Sequence, residues 1–350
     1  MVNSITRTVD GVTGTASRSR GTADVAAART AFPDWRFAPN IGGHPDIYEI
    51  ENRALDPDGH VLAAMRNLAS WDGRTLVDLG CGTGFWLTCY AREAARVIGI
   101  EPDPALRARA AARIRALPGF KAVQRSANTE RPDECESAAL ACAADSHSSG
   151  CPRLVEVLAG SAEHLPLPDR SVDVVHARFA YFLSPGIVRG MNAGGRRAAN
   201  GTGLSAAGAG GGRAANDRPA HRAAAPGDAG LAEVMRVLRP GGSLIVVDND
   251  YRWGEFAGLL AAAASVPPQH TASAIDAWWR ERGATRHEVR SHWRFANRAN
   301  LAAVLNIEVP ATVARAWLAR HPATTSLSYG HVLFAVTRSR GVSRPPALAP

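Results

Sequence analysis

The stretch TLVDLGCGTGFW, residues 75–86, decides how this chain is read. It opens on a short apolar run broken only by Asp78, the pattern of a buried strand. Three glycines then fall within five positions, at Gly80, Gly82 and Gly84. Glycine loses more backbone freedom on folding than any other residue, so that density marks a turn needing positive φ or a bare backbone beside a ligand. Asp78, a carboxylate among apolar neighbours, must find hydrogen-bond or charge partners of its own.

The spacing is G-x-G-x-G. A dinucleotide fingerprint would need a further glycine at position 85, where Phe85 stands, and no Gly-Lys-Ser/Thr follows as in a P-loop. Outward from the loop, strand and helix patterns alternate. FWLTCYAREAARV predicts a helix, and RVIGIEPDP (96–104) a second strand. PALRARAAARIRAL (104–117) predicts a helix with Asp103 as its N-cap and proline in its first turn. RLVEVLAGSAEHLPLP (153–168) and SVDVVHARFA (171–180) hold the third and fourth strands. GLAEVMRVLRPGG (230–242) predicts a helix stopped by Pro-Gly-Gly, and SLIVVDND (243–250) a fifth strand. Such alternation implies a parallel sheet covered by helices on both faces, with ligands beyond the carboxyl ends of its strands. Val332, Phe334 and Val336 alternate along TSLSYGHVLFAVTR (325–338) and share one face of a last strand. Trp253, Trp278, Trp279, Trp293 and Trp317 read as core.

Three segments fall below globular complexity: a leader over 1–32, an insertion at about 125–152, and a second at about 190–228. The second insertion carries no large apolar residue except Met191 and Leu204, too few to offset the entropy of ordering it. The expected organisation is one domain over 33–340 interrupted by these insertions, with a disordered tail at 341–350.

The formal charge of +8 is almost all arginine, since Lys121 is the sole lysine. The arginines are scattered, which reads as a solvated surface and argues against nucleic acid as a partner. Cys81, Cys89, Cys135, Cys142 and Cys151 form no C-x-x-C pair, the usage of a reduced, cytoplasmic protein. With His147, the last three match no common zinc spacing, so no metal is expected. No run of 18 apolar residues marks a membrane span, and the first 30 residues lack a secretory apolar core.

Four motifs in order, VDLGCGTG, VIGIEPDP, GSAEHLPLPDRSVDVVHARFAYFL and LAEVMRVLRPGGSLIVVDND, resemble those of the class I S-adenosylmethionine-dependent methyltransferases, in particular the small-molecule branch of the type 11 kind. The resemblance covers about residues 44–336, interrupted by the insertions. It implies an α/β fold: a Rossmann-like seven-stranded sheet, order 3-2-1-4-5-7-6, last strand antiparallel, with helices on both faces. It implies S-adenosylmethionine as cofactor. Asp78 would then help hold its methionine portion, with Gly80, Cys81, Gly82 and Gly84 as the loop beneath. Glu101, 23 residues beyond Asp78, would accept both ribose hydroxyls, and Pro102 would lie against adenine. Ser161, Ala162 and Glu163 would form the adenine loop. Ser161 departs from the aspartate common there, so that contact either weakens or passes to Glu163. Ala177 closes the cofactor set.

Methyl transfer from a sulfonium is an in-line displacement, served by proximity, alignment and a dry site; a general base is required only where the acceptor must lose a proton. Candidate catalytic residues on the rim are His176, Asp250 and Tyr181, with Asp248 nearby. Alternation also allows His176 to point into the sheet packing. Tyr48 and Arg53, in a lid resembling the family's (44–59), and Arg178 and Tyr251 are candidates for binding the acceptor. The expected activity is methyl transfer to a small-molecule acceptor. An RNA or protein methyltransferase, or a non-catalytic cofactor- or partner-binding protein, stands as the alternative.

Overall fold

The computed structural model describes residues 30–31, 38–116, 120–122, 153–179, 228–263 and 268–340. Tyr181, Cys135, Cys142, His147, Cys151, the tail at 341–350 and nearly all of the expected leader and insertions lie outside them.

Helices α1 (Pro39–Gly43), α2 (Pro45–Ala54) and α3 (His60–Leu68) precede strand β1 (Thr75–Leu79). Then come α4 (Leu87–Tyr90), β2 (Arg96–Ile100), α5 (Pro104–Arg115), β3 (Phe120–Ala122), β4 (Arg153–Leu158) and β5 (Val172–Arg178). The chain continues through α6 (Asp228–Val237), β6 (Leu238–Asn249), α7 (Glu255–Ala263), α8 (Pro268–Glu281) and β7 (Thr285–Arg294). It closes with α9 (Arg298–Glu308), α10 (Ala311–Arg320) and β8 (Ser326–Thr337).

Among the described residues, one sheet holds eight strands in the order β3-β4-β2-β1-β5-β6-β8-β7. The three-residue β3 is an addition at one edge. The other seven stand in the expected order 3-2-1-4-5-7-6, with β8 antiparallel to both its neighbours. Chain order reverses at β1, which pairs in parallel with β2 on one side and β5 on the other. A crevice therefore opens beyond the carboxyl ends of β1 and β5.

Alternate residues of each strand feed opposite faces. Val77, Ile98, Val175, Leu244, Val332, Phe334 and Val336 pack with Val234 of α6 and Trp279 of α8. Leu76, Val97, Val174, Ile245 and Leu333 pack on the other face with Val61, Met65, Leu87 and Ile114. A third cluster joins α2, α7, α9 and α10 around Trp293, Phe295 and Tyr329. Trp278, Trp279, Trp293 and Trp317 are buried as expected, whereas Trp253 is half-buried beneath Arg290.

Two expectations need correction. The helix after the glycine loop is only four residues long, because the amides of Ala95 and Arg96 must already reach the Arg74 carbonyl to start β2. The helix over 230–242 stops at Val237, and β6 begins at Leu238. Pro-Gly-Gly sits inside β6 as a bulge: between Val172 and Val174 of β5, the partner residue advances from Leu238 to Ser243. Gly241, at φ +85°, donates its amide to the Arg338 carbonyl, and the Arg338 guanidinium takes the Met235 and Arg236 carbonyls at the end of α6.

Candidate functional site

The glycine loop is bound to the end of β2: the amides of Gly80 and Cys81 both donate to the Ile100 carbonyl, at 2.9 and 3.1 Å. Gly80, Gly82 and Gly84 all have positive φ. At Gly84 a β-carbon would stand 2.9 Å from the Ala110 β-carbon and 3.0 Å from its α-carbon, so α5 packs directly on bare backbone. At Gly82 a β-carbon would meet the Ile41 side chain of α1 at 2.6 Å. Burial pushes the Cys81 thiol well above its usual value.

Glu101 is 5% exposed at the tip of β2. One carboxylate oxygen accepts the Gly82 amide at 2.8 Å and the other the Asp103 amide at 2.9 Å. Burial raises its pKa to about 7, against the pull of those two amides. Asp103 caps α5 as expected, taking the Ala105 and Leu106 amides. Arg107 reaches back to the carbonyls of Glu101 and Pro102, so the tip of β2 is held from both sides.

Ser161 and His164 close a small turn after β4 by an isolated bridge. Ser161 and Ala162 are buried, and the Ser161 hydroxyl is without a hydrogen-bond partner among the described residues; Glu163 is half-buried. The turn is tied to α6. Glu233 accepts the Leu165 amide, and Arg236 donates to the Leu165 and Leu167 carbonyls and to Asp169.

On β1 and β5, Asp78 stands opposite His176 in register, one residue before Ala177 and two before Arg178. Burial raises the Asp78 pKa to about 7, with the Arg178 cation pulling the other way. Burial, and then the same cation, push His176 down to about 3, so its ring is neutral at physiological pH. That ring is fully buried, edge-on to Trp71 and Tyr90. Arg178 is 9% exposed and lies over the Trp86 ring at 3.9 Å.

Helix α2, expected above to form a lid, contributes differently from expectation. Glu49 of α2 accepts the Thr83 hydroxyl and pairs with Arg113 at 2.6 Å, joining lid, loop and α5. Asn52 accepts the Trp86 indole N–H at 3.1 Å. Tyr48 is half-buried, while the Arg53 side chain is 66% exposed and stands 4.0 Å from Glu49. Past β6, Asp250 accepts the Arg252 amide and Tyr251 is half-buried against the α8 face; Asp248 is buried. The structure thus gathers Asp78, the three glycines, Glu101, Pro102, Ala177 and Arg178 around the β1 crevice, with Ser161 and Ala162 at the next strand end. It leaves Arg53 facing solvent. Sequence reading passed over Glu49, Thr83, Trp86 and His331. Glu49 left a faint signal, an acid on the inward stripe of an amphipathic helix. Among the described residues, no three His, Cys, Asp or Glu side chains gather as metal ligands, and no helix is long and apolar enough to cross a membrane.

Residues 77–146 match the family model described as a methyltransferase domain. None of the curated proteins compared with the chain matches it. Solved structures similar to it include the YcgJ protein from Bacillus subtilis, at 15% identity over 81% of this chain and 99% of that one, TM-score 0.44. A SAM dependent methyltransferase from Aquifex aeolicus follows at 14% identity over 83% and 97%, TM-score 0.38. Geranyl diphosphate C-methyltransferase from Streptomyces coelicolor shares 12% identity over 81% and 79%, TM-score 0.38.

Proposed function

We propose that this class I S-adenosylmethionine-dependent methyltransferase transfers its methyl group to a small-molecule acceptor. When bound, S-adenosylmethionine supplies an electrophilic methyl on a sulfonium. The observation that carries the site assignment is the buried Glu101 carboxylate, which fixes the Gly82 amide and so ties the ribose-reading acid to the loop. In this reading Glu101 accepts the ribose hydroxyls, and Asp78 with the Gly80–Gly84 backbone holds the methionine portion. Pro102 and Ala162 flank adenine. The buried Ser161 hydroxyl, without a partner among the described residues, supports its use as an adenine contact, because leaving that bond unmade costs about 1–3 kcal/mol.

The chain's share of the chemistry is alignment and water exclusion along the β1–β5 crevice. His176 is neutral and enclosed by rings, a placement that favours a packing role over a base. The domain reading is 33–340 with insertions at about 125–152 and 190–228. The free thiols of Cys81 and Cys89 support work in a reducing, cytoplasmic compartment.

The test is calorimetric titration with S-adenosylhomocysteine, with NAD as control, followed by a methyl-transfer screen over small acids, phenols and amines. Micromolar binding of the former alone is expected. Equal binding of NAD, or turnover only on RNA or protein, would overturn the reading.

A further inference from the structure

Arg178 ends β5, and the next residue, Phe179, takes a left-handed φ of +52°, an outlier for a bulky side chain that the Val247 carbonyl holds by accepting the Phe179 amide at 2.8 Å. The strand ends there with the guanidinium buried. Its contacts are poor for a buried cation. One terminal nitrogen, Nη1, lies 3.5 Å from the Met65 sulfur, and the plane covers Trp86. Nε and Nη2 are buried with no hydrogen-bond partner among the described residues. The Tyr90 hydroxyl feels the cation but falls short of a geometric hydrogen bond to it. Nε and Nη2 form one edge of the guanidinium, the side-on fork that grips a carboxylate through two parallel bonds. Elsewhere in this molecule the same edge is used in that way: Arg66 holds Glu93, and Arg236 holds Glu233, each through Nε and Nη2.

Asp78 is close enough for its charge to be felt, yet no hydrogen bond joins the two. His331 of β8 is fully buried nearby, with both ring nitrogens unpartnered among the described residues. Phe179 and Tyr329 stack at 6.3 Å and His331 lies against both, while Trp86 offers the guanidinium a flat apolar face. In the sheet, the glycine loop and Glu101 belong to β1 and β2, whereas Arg178 and its His331 and Tyr329 neighbours belong to β5 and β8, on the far side of β1. The fork therefore stands on the opposite side of β1 from Glu101.

We propose that Arg178 is the specificity-determining residue of this enzyme and that its Nε–Nη2 edge takes a carboxylate on an acceptor with a flat apolar body. The inference rests on the methyltransferase reading above, and the two fail separately. Benzoate and its neutral counterpart benzamide are titrated into the full chain, with and without saturating S-adenosylhomocysteine. Benzoate is expected to bind at least tenfold tighter than benzamide to the wild type, a preference lost in Arg178→Met and partly kept in Arg178→Lys. Thermal melts confirm that both variants fold. Affinity for S-adenosylhomocysteine is expected to change less than threefold in Arg178→Met. Equal binding of the two probes, or none, overturns the proposal. So does a tenfold loss of S-adenosylhomocysteine in Arg178→Met with 5′-methylthioadenosine unaffected, which would assign the fork to the cofactor's own carboxylate. Failure of the wild type to bind S-adenosylhomocysteine while still preferring benzoate would instead sink the methyltransferase reading and leave the anion site standing.

Discussion

At the residue scale, Glu101 joins two opposing demands. Its carboxyl titrates near 7 because burial outweighs the two amides it accepts. A carboxyl raised in the folded state contributes stability that is full below the ordinary carboxylate range and is lost as pH climbs through about 7. Glu101→Gln removes that loss. The variant is expected to gain on the wild type by on the order of 3 kcal/mol between pH 5 and pH 8, measured by denaturant unfolding at each pH. The same substitution is expected to weaken S-adenosylhomocysteine by about 1.5–3 kcal/mol, the size of charge-assisted hydrogen bonds, measured by calorimetry. Parallel pH curves for the two proteins would refute the first expectation, and an unchanged dissociation constant the second. Gly84→Ala is expected to destabilise by about 1–3 kcal/mol, since the residue is at φ +74° and the new methyl meets the Ala110 backbone. A thermal melt reads it directly.

At the element scale, the strands were legible because their period is short and their residues are apolar: β1, β2, β4, β5 and β8 stand where TLVDLG, RVIGI, RLVEVL, VDVVHAR and SLSYGHVLFAVT put them. Their order was not in the pattern itself and came from the likeness of four motifs. Elements that end on long-range bonds were misread. Nothing local announces that Arg338, about a hundred residues on, terminates α6 by taking its carbonyls, or that Pro-Gly-Gly is a bulge inside a strand. The site divides the same way. Asp78 and Glu101 are marked by strand ends, whereas Glu49, Trp86 and His331 gain their meaning from partners 34 or more residues away or from another strand's face. Arg338→Ala is expected to cost about 1–2 kcal/mol, the worth of a lost helix cap, with the first loss of amide protection at Met235 and Arg236. Uniform loss of protection across the sheet would argue against this local role.

At the scale of the whole molecule, α2 is joined to α9 by a pair of acids. Glu51 of α2 and Glu308 of α9 both have raised pKa values, from burial first and, for Glu51, from its neighbour's charge; Asn40 donates to Glu308 at 2.7 Å. Protonation of both carboxyls is favoured in the folded state and is lost as pH rises, so the contact between α2 and α9 weakens with rising pH. Glu51→Gln is expected to raise the melting temperature more at pH 8 than at pH 5; an equal gain at both would show that the pair does not titrate. A different dependence lies in α6. One end of the chain's last strand grips its carbonyls through Arg338, while Arg236 and Glu233 grip the turn that follows β4. The helix is a tie rod between the two. A protease that trims the protein after Thr337 would remove no residue of the crevice, yet it would slacken the turn that follows β4.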